Sequence, residues 1–441
     1  MVKRYDLVVV GAGPAGLMAA KTASENGVKV ALLERKTDLT RIRRVDHGAL
    51  GVNEYMCGQM VTFNTKAKRL CFPVGGFSIP YDGPYSNLYG FQIHSPGGKR
   101  ILFGDWKKAK REGDQVRLGI ALDKGVLLER LLKECRNYDV EVLPGINVSE
   151  IEKRGEWVQV TGSGKTIEAP LVIAADGINS RIARLLGFNK ERKFFGTQRN
   201  VTWTLEGDIP IDPGSLNFII AENGVFSVSS AHKKGMFHVG AGSYNTQADL
   251  NLRLEKFTKE DKVYKSWFVN ARKVEVVNCV VSTLSPIKEP FKDNILLVGD
   301  AAWVMQFSNL AALSAGGKAG NVVTLALIEK KCNREGIASY LEWWEKYFYG
   351  PYGAYEFGVG SDKYIEILNG EEFDYLAALI QNPMPATLNV YTLFPLIGKT
   401  YAELFPKIYE ERPQIMEKLI EMRSHMDELM EIQKKLGFPN R

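Results

Sequence analysis

Gly11-Ala12-Gly13-Pro14-Ala15-Gly16 is a G-x-G-x-x-G turn, and Glu34 follows it by about twenty residues. These residue types at this spacing suit a dinucleotide. Gly11 permits a tight turn, Gly13 lets backbone approach a pyrophosphate, and Gly16 lets a helix pack closely on a strand. Pro14 and Ala15 open that helix, whose N-terminus offers free N–H groups and a positive dipole end to phosphates. Glu34 can accept hydrogen bonds from an adenosine ribose, and its charge disfavours a phosphate there. The turn alone does not separate FAD from NAD.

The flanking text supplies the elements this chemistry needs. Tyr5 to Val10 is a short apolar, β-branched run of the buried parallel-strand type, Leu17 to Ser24 continues as helix, and Val28 to Leu33 reads as a second strand. A basic stretch follows, with Arg35, Lys36, Arg41, Arg43 and Arg44. It reads equally as a solvated loop or as a contact to cofactor phosphates or the flavin edge. Asp123 to Cys135 is an amphipathic helix with leucines at 127, 128, 131 and 132, which Asp123 can cap. Hairpin strands with turns at Gly155 and Gly162-Ser163-Gly164 lead to an apolar run, Leu171 to Ala175, and then Asp176-Gly177. Residues from about 197 to 285 alternate as an antiparallel sheet with one polar face. Ile295 to Val298 returns to the buried type and ends in Gly299-Asp300-Ala301-Ala302, before a long helix to about Cys332. The last hundred residues read as helical and aromatic-rich, ending in a charged helix near Glu417 to Leu436.

Composition narrows the function classes. The 57 basic and 51 acidic residues leave a net charge of only +6, with no long basic block, which speaks against nucleic acid. No run reaches about eighteen consecutive apolar residues, so no membrane span is expected, although a peripheral membrane contact is compatible with the text. The first apolar run leads straight into the glycine turn, which predicts no secretory signal and a cytoplasmic location. Cys57, Cys71, Cys135, Cys279 and Cys332 show no C-x-x-C pair, and the five histidines show no ligand spacing. No iron–sulfur cluster, zinc site or other metal is expected.

The glycine turn, Ala175-Asp176-Gly177 and Gly299-Asp300-Ala301-Ala302, in this order, resemble the FAD-dependent enzymes of the para-hydroxybenzoate-hydroxylase-type fold, and within them the geranylgeranyl reductase family. The resemblance spans roughly residues 1 to 330. It implies an α/β chain with a Rossmann-type FAD domain (1–70, 101–190 and 287–330), a mixed or antiparallel-sheet substrate domain (71–100 and 191–286) and a helical C-terminal region (331–441). It implies that Asp300 holds a ribityl hydroxyl and that Asp176 lies beside the pyrophosphate. It also places Lys124 where the family often has an FAD-reaching arginine, and keeps Arg35 and Arg44 as cofactor candidates. Tyr55-Met56-Cys57-Gly58 resembles the family's Cys-Gly near the substrate.

Two departures stand out. The family's Tyr-x-Trp-x-Phe-Pro stretch corresponds here to Phe226-Ser227-Val228-Ser229-Ser230-Ala231. The Gly-x-Gly that lets backbone approach the flavin corresponds to Leu310 and Ala312, with Phe307 at the preceding proline and Gly316-Gly317 farther on. The resemblance implies reduction of a carbon–carbon double bond in an apolar unsaturated small molecule. Two other readings stay open: a flavin monooxygenase of an aromatic or polycyclic compound, and an electron-transfer flavoprotein linked to a quinone or ferredoxin system. No second dinucleotide turn is evident, since Gly358-Val359-Gly360 follows no clear strand. The electron source is therefore either NAD(P)H or a reduced protein donor. Candidate substrate-site residues are Cys57, His47, Tyr55, His238 and Leu310, with Trp203 on the same expected sheet as His238. None forms an evident acid–base pair.

Overall fold

The computed structural model describes residues 2–42, 48–303, 309–352 and 367–420. Its first layer is a six-stranded sheet in the order Glu141–Pro144, Val30–Glu34, Leu7–Val10, Leu171–Ala174, Ile295–Leu297, Phe291–Lys292. All neighbours are parallel except the last pair. The strands LVVV, VALLE and LVIA are buried along their whole length, as parallel strands covered on both faces must be. The helix Pro14–Glu25 has an unbroken buried run from Pro14 to Ser24, with alanines and glycine that let it approach its neighbours.

The long helix Asn309–Ile328 packs against that first helix. By length and composition it could cross a membrane, but 72% of its most apolar window is buried in the protein. It begins well before the expected stop and ends at Ile328 rather than near Cys332. The helix Lys124–Asn137 forms as expected, and Asp123 caps it by accepting from Gly125 N at 2.9 Å and Val126 N at 3.3 Å.

A seven-stranded sheet makes the second layer: Arg100–Leu102, Gly90–His94, Ser215–Ala221, Gly224–Ser230, Met236–Ser243, Phe194–Glu206, Arg272–Leu284. It is antiparallel but for one parallel pair, Gly90–His94 with Ser215–Ala221. One face carries Trp203, Phe226, Val228, Phe237 and Val239 into a core closed by the helix Leu250–Lys259. Residues 71–100, expected as one block with this sheet, divide. Phe72, Ile79 and Tyr81 join the core of the first layer, whereas Leu88 and Phe91 join a third core with the C-terminal Met384, Leu388 and Leu393. The division follows from Thr62–Asn64, Arg69–Phe72 and Phe77–Pro80 forming their own three-stranded sheet. The C-terminal helices include Gly370–Leu379, with an Asn369/Glu372 capping box, and Val390–Glu411. The charged helix expected at Glu417 to Leu436 falls mostly outside the described residues, as does Gly358-Val359-Gly360.

Candidate FAD and substrate site

The three sequence motifs converge on one turn. Gly11 has φ +101°, and a Cβ on it would lie 2.3 Å from the Ala175 carbonyl oxygen. A Cβ on Gly299, at φ +66°, would lie 2.9 Å from the Ala15 Cβ, and one on Gly316 would lie 2.2 Å from the Ala15 carbonyl oxygen. Glycine is required at these places by contact with neighbouring chain. Gly13 is different: a Cβ there meets nothing within 4 Å. Gly13 is also the N-cap of the Pro14–Glu25 helix, makes no side-chain cap, and is followed by a first turn without acidic residues. Open space in front of an uncapped, unneutralised helix N-terminus fits a pyrophosphate.

Glu34 is buried. Its Oε2 accepts from Ala12 N at 2.8 Å, and its Oε1 accepts from Lys36 N at 2.8 Å. Each oxygen retains a lone pair, so a ribose can still be held while the carboxylate braces the glycine turn. The sequence reading missed this second duty; the capacity of a carboxylate for four hydrogen bonds was the available signal. Taken together, the residues present fit FAD.

The remaining cofactor candidates are placed as follows. Arg35 is exposed, and Lys36 spends its ammonium on Leu39 O and Arg41 O. Lys124 is buried at the first position of its helix. Asp300 is half-buried in a short 3₁₀ turn, Gly299–Ala301, at the carboxyl edge of the parallel sheet. Asp176 braces the start of the short helix Arg181–Leu185, whose N-cap is Ser180, accepting from Ser180 Oγ at 2.6 Å, Arg181 N at 2.7 Å and Ile182 N at 3.1 Å. Burial nonetheless pushes its carboxyl above the ordinary range. Its backbone abuts Gly11, and its carboxylate is already engaged at the start of that helix.

Leu310 and Ala312, aligned with the family's flavin-approaching glycines, lie in the first turn of the helix Asn309–Ile328. Leu310 is fully buried, with Cδ1 3.6 Å from a Cβ built on Gly51. The displaced pair is used for packing: Gly316 admits the first helix and Gly317 admits the Phe77 ring. An apolar run with small residues continues the helix once its partner covers it.

Cys57 and Gly58 are the two central residues of a hairpin between Tyr55–Met56 and Gln59–Met60, with φ +53° and +83°. Both positive values mark a type I′ turn. Trp343 Nε1 donates to Cys57 O at 3.2 Å, and a Cβ on Gly58 would touch the Tyr347 ring at 2.8 Å. Burial pushes the Cys57 thiol up to about 12, so it stays protonated. Tyr55, by contrast, is largely exposed and bonds the Tyr347 hydroxyl. His238 lies on the second sheet with Nδ1 3.3 Å from Thr204 Oγ1. Trp203 points the other way, into the outer core, where Nε1 donates to Asn251 Oδ1 at 3.0 Å. Phe226 and Val228 also face that outer core, so the missing tryptophan of the family stretch does not alter the opposite face. Arg43, Arg44, His47 and Phe307 lie outside the described residues. Among the described residues no cluster of His, Cys, Asp and Glu could hold a metal.

Comparison with known proteins bears on this geometry. Residues 5–48 match the family described as pyridine nucleotide-disulphide oxidoreductase. A digeranylgeranylglycerophospholipid reductase of Methanothrix thermoacetophila is 26% identical over 355 residues, covering 78% of this chain and 83% of its own. One from Methanococcus vannielii is 26% identical over 394 residues, covering 85% and 90%. A geranylgeranyl bacteriochlorophyll reductase-like protein from Thermoplasma acidophilum superposes with TM-score 0.67 at 18% identity, over 93% of this chain and all of its own. A p-nitrophenol 4-monooxygenase from Pseudomonas putida superposes with TM-score 0.61 at 19% identity, over 86% and 94%, and shares the fold. The convergent glycine turn and the parallel sheet behind it carry the fold of an FAD-dependent oxidoreductase, and along most of its length the chain is similar to reductases of the geranylgeranyl type.

Proposed function

We propose that this enzyme reduces a carbon–carbon double bond in an apolar, lipid-like substrate. The observation that carries the reading is the similarity to digeranylgeranylglycerophospholipid reductases along more than three-quarters of the chain. FAD, when bound and reduced, would supply the hydride. The chain's own residues supply the rest. The amides following Gly13 and the dipole of the Pro14–Glu25 helix would hold the pyrophosphate, Glu34 the ribose, and Asp300 a ribityl hydroxyl. The Gly299–Ala15 contact keeps Asp300 close to the glycine turn.

Hydride addition to one carbon leaves the other in need of a proton. The neutral Cys57 thiol is suited to give one rather than to attack. Its turn is fixed by Trp343 and Tyr347 on one side, and Met56 Sδ lies 3.2 Å from a Cβ built on Gly51 on the other. The same hairpin is tied to the Asn309–Ile328 helix by Gln59 Nε2, which donates to Ser314 Oγ at 3.1 Å. The electrons come from an external donor, either NAD(P)H or a reduced carrier protein, and a lipid-like substrate is consistent with a peripheral membrane contact.

Anaerobic mixing of the dithionite-reduced holoenzyme with a polyunsaturated prenyl lipid tests the reading. Reoxidation of the flavin that depends on the lipid is expected. Reduced flavin that stays reduced with every unsaturated lipid, yet turns over with oxygen and an aromatic compound, overturns it.

A further inference from the structure

The longest strands of the second sheet, Phe194–Glu206 and Arg272–Leu284, begin and end at the FAD domain, whose core takes up Phe188 before the first and Ile287 after the second. The chain is clasped where it leaves and returns. Lys193 N donates to Ser285 Oγ at 3.0 Å, and Ser285 N donates to Lys193 O at 2.9 Å. Two residues on, Ile287 N donates to Ala302 O at 3.2 Å, so the clasp stands next to the chain that follows Asp300.

Arg192 sits at this clasp, half-buried. Its Nε donates to Ser285 O at 2.5 Å and its Nη1 to Asn189 Oδ1 at 3.1 Å. Both acceptors are neutral. Among the described residues no carboxylate pairs with the guanidinium, and burial pushes its pKa down to about 10 with no neighbouring charge to offset the cost. Nη2 makes no hydrogen bond among the described residues, yet it is not one of the enclosed unpartnered atoms, so it reaches open space. Bracing a carbonyl does not call for a permanent charge, and a desolvated cation is costly without an anion. The planar fork with one edge unspent suits a phosphate. The surroundings have the same sign. Residues 181–193 carry five basic side chains and one acidic one. Arg181, Arg184 and Lys190 are exposed, and none of them is in an ion pair among the described residues.

We propose that Arg192 anchors a phosphate-binding site where the second sheet meets the FAD domain, with Nη2 and the second N–H of Nη1 on one phosphate and Lys190 adding charge beside it. The ligand is a small molecule whose phosphate is held while its reacting end reaches the flavin: a nicotinamide dinucleotide or a phosphorylated lipid. The inference goes beyond the reductase reading and uses it only to place the flavin beside Asp300.

The test is calorimetric titration of the FAD-loaded full chain with three probes: NADP⁺, geranylgeranyl monophosphate and geranylgeraniol. Arg192→Gln should weaken at least one of the two phosphate probes by about tenfold or more, and leave geranylgeraniol within about twofold. The probe that weakens names the source of the phosphate. In the unmodified chain, excess inorganic pyrophosphate should compete with that same probe and not with geranylgeraniol. Should Arg192→Gln fail to hold FAD, the exposed Lys190→Gln decides together with the competition, with a loss of about threefold expected. Unchanged affinity for both phosphate probes, an equal loss for geranylgeraniol, or no competition by pyrophosphate overturns the proposal. Binding is read without turnover, so a chain that binds as expected yet reduces no lipid keeps this site and loses the reductase reading.

Discussion

Glu34 Oε2 accepts the amide of Ala12 at 2.8 Å, so the acidic end of the second strand is tied directly to the glycine turn that opens the first helix. The spacing of the two along the sequence thus has a structural cause as well as a ligand-binding one. Glu34→Ala leaves two backbone amides without acceptors, and Ala12 is buried. A loss of about 1–3 kcal/mol of stability is expected even without cofactor, together with weaker FAD binding. Denaturant titration of the apoprotein and FAD titration check both; an unaltered apoprotein would show that the brace contributes nothing.

Gly13 and Gly16 should behave oppositely. A methyl at Gly13 enters open space, so Gly13→Ala should leave the apoprotein's midpoint of unfolding unchanged while lowering FAD affinity at least tenfold. A methyl at Gly16 would lie 1.8 Å from Gly11 O, and Gly16→Ala should destabilise the fold itself by about 1–3 kcal/mol. Equal effects of the two on apoprotein stability would contradict the separate roles.

Asp300→Ala should weaken FAD by about 1.5–3 kcal/mol, roughly ten- to a hundredfold, the range for a hydrogen bond to a charged group. Gly299 packs on Ala15, so the backbone turn should survive the change. Unchanged affinity in a fluorescence titration would make Asp300 a turn residue only.

Much of this architecture is legible in the chain because its signals are local. The glycine turn, the fully apolar strands, the Asp123 cap and the alternation of the second sheet each follow from residues close in sequence. What is not legible depends on neighbours far away. Leu310 is buried beside Gly51, and the helix it belongs to packs on the first helix through Gly316 and Gly320. Cys57 and Gly58 form a tight turn that Trp343 and Tyr347 lock from about 290 residues downstream. Phe226 and Val228 turn outward, and Ser227 and Ser229 inward, because the register of three strands decides the face, which a one-residue slip would reverse.

His94 gives the fold an acid-sensitive joint. It is buried, with Nε2 2.9 Å from Asn217 Oδ1, and burial holds its pKa below the ordinary histidine value of 6.5. The unfolded chain therefore takes up the proton first. Its contribution to stability is present above about pH 6.5 and is lost as pH falls through the lower folded value. Melting temperature should drop between pH 7 and 5 in the wild type. His94→Gln should flatten that drop, and an identical pH profile for the two proteins would contradict the assignment.

The most direct test of the central claim is the mass of the product. Reduced holoenzyme is incubated with an unsaturated apolar lipid in a sealed vessel, and ¹⁸O₂ is admitted to a parallel sample. The account predicts a product heavier by two hydrogens for each double bond reduced, formed without oxygen and free of label. A product that forms only with oxygen and carries ¹⁸O would contradict it.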